Sequence, residues 1–383
     1  MMSFLNEMVG AGSATLGYLL PFLFVLTLVI FFHELGHFLV ARWTGVKVLA
    51  FSLGFGPELF GFDDRRGTRW RIAAIPLGGY VRFAGDENAA SAPDVDALER
   101  MGPEERRGSF FFAPLPSRAA IVAAGPIANF LLAIVIFAGI FLIAGRPVTD
   151  AMVDEVEPGS AAAAAGFAPG DLVLAIDGEK IASFGDMQRI VETSADRTLR
   201  VTVERAGTQL DLQATPKLKE ISDGFGNKLK IGLLGIKRST NAQNVRVQHY
   251  GPLQAIGAGA QETWFQVART ANYLGRMVVG RESTDQIGGP IRIAKTSGDF
   301  ATLGFVALLN LAAILSVSIG LLNLVPIPML DGGHLLFYAI EALRGRPLGA
   351  RVQEMGMRIG LALVLALMIF ATWNDIIHLS ALG

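Results

Sequence analysis

Residues 28–40 read Leu28-Val29-Ile30-Phe31-Phe32-His33-Glu34-Leu35-Gly36-His37-Phe38-Leu39-Val40. A His-Glu-x-x-His pattern therefore sits inside an otherwise apolar run. A charged group at the centre of a membrane helix costs roughly 2.5–3.5 kcal/mol on insertion scales, so such groups need a partner. On a helix, His33 and His37 are one turn apart and share a face, so both imidazoles can bind one Zn²⁺. Glu34 beside them can act as general base on a water. The bland alternative is a chance match, or two histidines bonded to neighbouring helices; the apolar setting makes it the weaker one.

The rest of the composition agrees with a membrane setting. Mean hydropathy is +0.44, and charged residues make up only 17% of the 383, too few for an ordinary soluble enzyme. A net charge of −1 gives no global attraction to nucleic acid, and none is expected as a partner. With no cysteine, a metal here must use His and carboxylate ligands. No Lys or Arg precedes the first apolar run, so it lacks the basic region of a signal peptide and is read as a retained span.

Four segments read as bilayer spans, for which ~20 residues are needed, near Leu16–Val40, Ala119–Ala144, Leu303–Val325 and Ile359–Trp373; the last is short but ends in Trp373, an interface anchor. Residues 1–41 carry no Lys or Arg, whereas 42–118 carry eleven. Arg344, Arg346, Arg351 and Arg358 follow the third span, and the tail after Trp373 has none. The positive-inside rule then puts both termini outside and 42–118 and 340–358 on the cytoplasmic side. The expected order is a first transmembrane helix (1–41), a β-hairpin region and loop (42–118), a second span (119–145) and a soluble insert (148–248). A helical linker (249–302), a third span with its following motif (303–344), and a fourth span and tail (345–383) complete it.

Residues 45–85 read as two strands around the turn Asp63–Gly67. They form either a small soluble hairpin or, the reading favoured here, a sheet edge beside the metal, in the strand after Gly45, that pairs with an extended peptide. Asp86–Gly108 is polar and aperiodic, and reads as a loop. In the second span, Asn129 needs a partner, in a helix–helix bond or at the site. The insert shows the strands Val153–Val156 and Leu172–Ile176, a short helix from Ser160, a helix Asp186–Thr193 and a hairpin of Thr198–Glu204 with Gln209–Ala214. Residues 252–282 form a mixed helix, along the membrane surface or packed on its neighbours.

The third span ends in Asn323-Leu324-Val325-Pro326-Ile327-Pro328-Met329-Leu330-Asp331-Gly332-Gly333-His334. Two prolines break the helix, and unwound backbone at membrane depth is tolerated only against protein or a water-filled cavity. Asp331 either caps a new segment, His334–Leu343, or is a third metal ligand that leaves one coordination position open. Asp331 is preferred over His334 on charge. Asn323 can donate to the substrate backbone or to an oxyanion.

At these residues the chain resembles the site-2 protease family of intramembrane zinc metalloproteases, in particular its RseP-like branch. The resemblance rests on His33-Glu34-Leu35-Gly36-His37, Gly78-Gly79-Tyr80-Val81, Ala124-Gly125-Pro126-Ile127-Ala128-Asn129-Phe130, Gly288-Gly289-Pro290-Ile291 and Asn323 through His334. It covers nearly the whole chain. It implies zinc held by His33, His37 and Asp331, with Glu34 catalytic and Asn323 contacting substrate. The implied fold is a polytopic α-helical membrane protein of about four transmembrane helices, with a membrane-associated β-hairpin and an inserted α+β PDZ domain. The Glu157-Pro158-Gly159-Ser160, Pro169-Gly170-Asp171 and Asp177-Gly178 turns carry the PDZ likeness, so a peptide ligand or a steric filter is expected there. Implied partners are the lipid bilayer of a bacterial inner membrane, with both termini periplasmic, and single-span substrates such as anti-sigma factors and remnant signal peptides. Two features differ from the family pattern: the insert has room for one PDZ domain rather than two, and Ser318 stands where a second Asn is common. The rival readings are a metal-ion transporter, which the absence of repeated halves disfavours, and an inactive scaffold that recruits through its PDZ insert.

Overall fold

The computed structural model describes residues 2–86, 100–222, 228–238, 245–279 and 288–380. They divide into two units, 1–137 with 287–383, and 138–286. The expected loop over 86–108, the insert and the linker each lie partly outside the described residues.

The first unit begins with α1 (Met2–Trp43), followed by β1 (Val48–Asp63), β2 (Arg69–Phe83), the short α2 (Pro103–Gly108) and α3 (Leu115–Ile143). It resumes with α7 (Pro290–Thr302), α8 (Phe305–Asn323), α9 (Asp331–Arg344) and α10 (Ala350–Ser380). Four stretches, Leu16–Trp43, Leu115–Ile143, Phe305–Asn323 and Arg351–Ile377, are helical, long enough and apolar enough to cross a membrane. The 29 residues of α3 rise ~43 Å at 1.5 Å each, against a hydrocarbon core of ~30 Å. The last span is longer than the apolar run Ile359–Trp373 suggested. Its helix starts at Ala350 and runs through the polar turn of Arg351, Gln353 and Glu354, because propagating a helix needs hydrogen bonds rather than apolar side chains. The third span begins at Phe305, and the residues before it form the separate α7. Part of the expected loop is ordered as α2.

The hairpin is more than two strands. Val48 to Leu53 pair with Phe83 to Gly79 on one side. On the other side Ala50, Phe51, Ser52 and Leu53 stand opposite Arg69, Trp70, Arg71 and Ile72. The second half of β1 folds back, so that Phe60 to Asp63 oppose Ile72 to Arg69. The first half of β1 is therefore interior, with both of its edges taken. This corrects the expectation that a peptide would pair with the strand following Gly45: the edge left on that side belongs to the end of β2. Phe51 anchors the sheet. It stacks on Trp70 at 4.3 Å, Phe38 of α1 meets both rings edge-on, and Val46, Val48, Val81, Phe83, Phe110 and Ile121 close the same core. Asp64 fastens the turn by accepting from the Arg66 and Thr68 N–H groups, the Trp70 indole and Arg42.

The second unit is the insert. Its largest sheet has four strands in the order β6 (Glu179–Lys180), β5 (Leu172–Ile176), β7 (Leu199–Arg205), β8 (Thr208–Ala214). β7 alternates buried and open positions, with Leu199, Val201 and Val203 inside, as a half-buried strand should. The pairs β3 (Arg146–Val148) with β12 (Arg246–Gln248), β4 (Glu155–Val156) with β11 (Ile236–Lys237), and β9 (Lys217–Ser222) with β10 (Lys228–Leu233) are its other strands among the described residues. Two helices lie among them: α4 (Ala161–Ala165), capped by Ser160, and α5 (Phe184–Thr193), capped by Ser183. The expected Val153–Val156 strand is reduced to β4. Helix α6 (Pro252–Val278) ends the unit, and its Glu262 pairs with Arg189 of α5 at 3.0 Å.

Asp171 ties the insert together. Its side chain is fully buried and accepts from Arg205 at 2.6 and 2.8 Å. The Arg205 guanidinium, helped by the Ala168 N–H, holds its carboxyl below the usual carboxylate range. A carboxyl lowered in this way stabilises the fold above its unfolded value of about 4. That stability is lost as pH falls through the folded value. Arg205→Ala is expected to cost roughly 1–3 kcal/mol at neutral pH and to flatten the acid dependence. Amide exchange at Val173 and Val203 measures both effects, and unchanged protection would contradict the assignment.

Candidate metal and catalytic site

α1 and α3 approach closely at the histidines. A side chain at Gly36 would run into the Ala124 carbonyl, and one at Gly125 into His37 Nε2, with His33 Cε1 only 2.8 Å away. The two glycines let the helix backbones come together where bulk is forbidden. Gly320 of α8 packs against Asn129 and Pro126 of α3 in the same region.

His33 Nε2 and His37 Nε2 lie 3.2 Å apart, with the rings edge to face at 85°. Asp331 completes the group: Oδ2 is 3.3 Å from His33 Nε2 and Oδ1 is 3.6 Å from His37 Nε2. Ligand atoms of the three residues lie within 4.8 Å of one another, and among the described residues no fourth joins the group. Three lone-pair-bearing atoms crowd one point, and Asp331 Oδ2 is buried without a hydrogen bond. That donor set and that orphaned oxygen fit a divalent cation, which repays the cost of gathering them.

The remaining nitrogens are held from behind. His37 Nδ1 donates to the Ile121 carbonyl at 2.8 Å, which leaves Nε2 with its lone pair facing the group. His33 Nδ1 is 3.3 Å from the Asn129 amide. Asn129 is fully buried, and its Oδ1 has no hydrogen bond. With the amide oxygen turned towards His33, Nδ1–H donates to it and Nε2 is freed for a metal. Asn129 also accepts Ser316 Oγ at its carbonyl, 2.9 Å away. It therefore fills both roles left open above, the helix–helix bond and the support of a histidine.

Glu34 points towards β2. Its carboxylate has the Val81 N–H as a neighbour, and its Cγ lies 3.0 Å from where a Cβ on Gly79 would stand. Asn323, the last residue of α8, has its amide 3.4 Å from His33 Nε2. Beyond it the chain unwinds through Pro326 and Pro328, and Met329 takes φ 85°, a conformation costing on the order of 1–3 kcal/mol for a non-glycine residue. Leu330, not Asp331, is the N-cap of α9; Asp331 is its first helical residue. His334 lies outside the three-residue group and has Phe337 and Tyr338 as ring neighbours at 6.5 Å. Ser318 donates to Ile314 O of its own helix.

The Ile121 carbonyl, the Val81 N–H and the space at Gly125 went unread in the sequence. The first two are backbone groups, which carry no signature of their own. Gly125 stood in the quoted motif, but nothing there named what its missing side chain makes room for.

The profile of peptidase family M50 matches residues 21–367. Atu1380 of Agrobacterium fabrum, named for a zinc metalloprotease, is 54% identical over 372 residues, covering 97% of this chain and 99% of its own. R01501 of Rhizobium meliloti, named likewise, is 57% identical over 362 residues, or 94% and 97%. Metalloprotease MmpA of Caulobacter vibrioides is 44% identical over 380 residues, or 94% and 95%. The chain belongs to peptidase family M50, and it is a protease.

Proposed function

We propose that this protein is a zinc-dependent endopeptidase that cuts a peptide bond inside the transmembrane segment of single-span membrane proteins. The observation carrying the proposal is that His33, Glu34 and His37 lie within a helix long and apolar enough to span a bilayer, and that Asp331, eight residues past the end of another such helix, converges with the two histidines. His33 lies ten residues before Trp43, the end of α1, or ~15 Å at 1.5 Å per residue. His33, His37 and Asp331 would hold the zinc. When bound, zinc polarises a carbonyl and lowers the pKa of water.

Glu34 takes the proton of the attacking water and delivers it to the leaving amine. The Asn323 amide donates to the scissile carbonyl or the oxyanion formed from it. The end of β2 around Gly79 holds the substrate extended by main-chain pairing, next to the base. The His37–Ile121 and His33–Asn129 contacts keep both imidazoles in the required tautomer.

The charge asymmetry of the flanking loops supports periplasmic termini in a bacterial inner membrane. Strands, two capped short helices and Gly-containing turns in the expected order support a PDZ reading of the insert, which would face the periplasm and receive or exclude a peptide end. Anti-sigma-type proteins and remnant signal peptides fit a site of this kind.

A helical substrate buries its amides in its own hydrogen bonds, so it must unwind before attack. Placing Gly for Ala near the scissile bond relaxes the helix by roughly 1 kcal/mol, which should raise cleavage about fivefold. The deciding experiment incubates purified protein with a reporter span, with and without chelator. Zinc-dependent cleavage within the span supports the proposal. Metal flux into vesicles without cleavage would replace it with a transporter.

A further inference from the structure

We infer that Arg118 and Glu341 are positioning residues for the metal site, acting as one pair. The inference rests on the metal-site reading above. Arg118 lies in the first turn of α3 and Glu341 near the end of α9, 223 residues apart. Arg118 Nη2 donates to Glu341 Oε1 at 2.6 Å and Nη1 to Oε2 at 3.3 Å. Its Nε donates to the Ala113 carbonyl at 3.1 Å, and its guanidinium lies over the Tyr338 ring, 5.0 Å from the centroid. Both charged side chains are only 15% exposed. A shielded two-pronged pair of this kind fixes direction as well as distance. As a source of bulk stability it is a poor choice, because desolvation offsets most of its attraction.

Its place in the fold suggests another purpose. Asp331 opens α9, and Glu341 is ten residues further on, ~15 Å along the helix. The near end of α9 is held by backbone contact: side chains at Gly332 and Gly333 would run into the carbonyls of Leu324 and Ile327. Leu343 at the outer end of α9 is exposed, while Leu335 and Tyr338 pack on the core beneath β1 and β2 and Phe337 lies against Gly356, so beyond Tyr338 Glu341 is the contact that ties the outer end to α3. Arg118 and Ile121 sit one turn apart on α3, and Ile121 holds His37 through its carbonyl. One turn of α3 thus orients a histidine directly and the carboxylate helix through its far end. Metal sites tolerate ligand displacements of only about 0.2 Å, so a small rotation or tilt of α9 is enough to weaken binding.

The test uses the full chain in detergent, zinc as the probe, and the variants R118Q, E341Q, R118Q/E341Q and R118K. Zinc affinity is read by chelator competition, and melting temperature is read with and without zinc. Each single variant is expected to raise the zinc Kd about tenfold, as loss of supporting contacts does elsewhere. The double variant should lose no more than either single one, because the pair acts as a unit. The zinc-induced rise in Tm should shrink in step, and kcat should fall with KM little changed. R118K keeps the charge and gives up the fork, so two- to threefold weakening is expected; it carries the same reading if R118Q is not recovered folded. Wild-type zinc affinity in the variants with a uniformly lower Tm would make the pair merely structural and overturn the inference, leaving the protease reading intact. Multiplied losses in the double variant would overturn the coupling. No zinc binding by the wild type would instead remove the metal site itself.

Discussion

Glu34→Gln is expected to bind zinc as the wild type does and to cleave no reporter span. The amide is nearly isosteric, and Glu34 is not among the three residues whose ligand atoms converge. The metal-holding set is therefore untouched. What is lost is a group that takes a proton in one step and returns it in the next, worth about 10²–10⁴ in rate. The Val81 N–H that neighbours the carboxylate can equally meet the amide oxygen, so the side chain keeps its direction. Metal content and turnover are measured on the same preparation. Full activity in this variant would end the proposed chemistry; loss of zinc along with activity would move Glu34 from base to structural support.

Gly125→Ala is the second large effect, and it runs against helix propensity. Alanine in place of glycine favours an isolated helix by about 1 kcal/mol, so α3 itself should gain. The added methyl would lie against His37 Nε2, 2.5 Å from His37 Cε1 and 2.8 Å from His33 Cε1. Those atoms belong to the imidazoles that converge on Asp331, one of which is pinned from behind by Ile121. The rings can avoid the methyl only by leaving the shared point. Zinc affinity is expected to fall at least a hundredfold, on the scale of losing ligand geometry outright, with helicity by circular dichroism unchanged. Zinc retained at one per chain in Gly125→Ala would show that the rings have room the geometry denies them.

Much of this was readable along the chain. The His33–His37 spacing is a local property of a helix, and so is the placement of Glu34 beside them. The break after Asn323 follows from Pro326 and Pro328, whose rings and missing donors act within a few residues. The caps Ser160 and Ser183 likewise act on their own helix ends. Readings failed where long-range packing took over. The strand after Gly45 was expected to offer a free edge to a peptide, yet both of its edges are filled, because β2 lies along it twice. The fourth helix outran its apolar run because helix boundaries follow backbone hydrogen bonds. Asp331 could be a cap or a ligand by position alone; with Leu330 as the cap, the carboxylate is left to face the histidines.

The linear order of residues by itself determined the spans, the chemistry on offer and which side chains could share a helical face, since each depends on neighbours a few positions away. Only the folded chain decided that Asp331 comes within 3.3 Å of His33 across 298 positions, that Ile121 and Asn129 stand behind the imidazoles, and that Gly125 leaves them space. Such contacts depend on the approach and rotation of whole helices. Those are set by the packing of many surfaces at once, and no single segment encodes them.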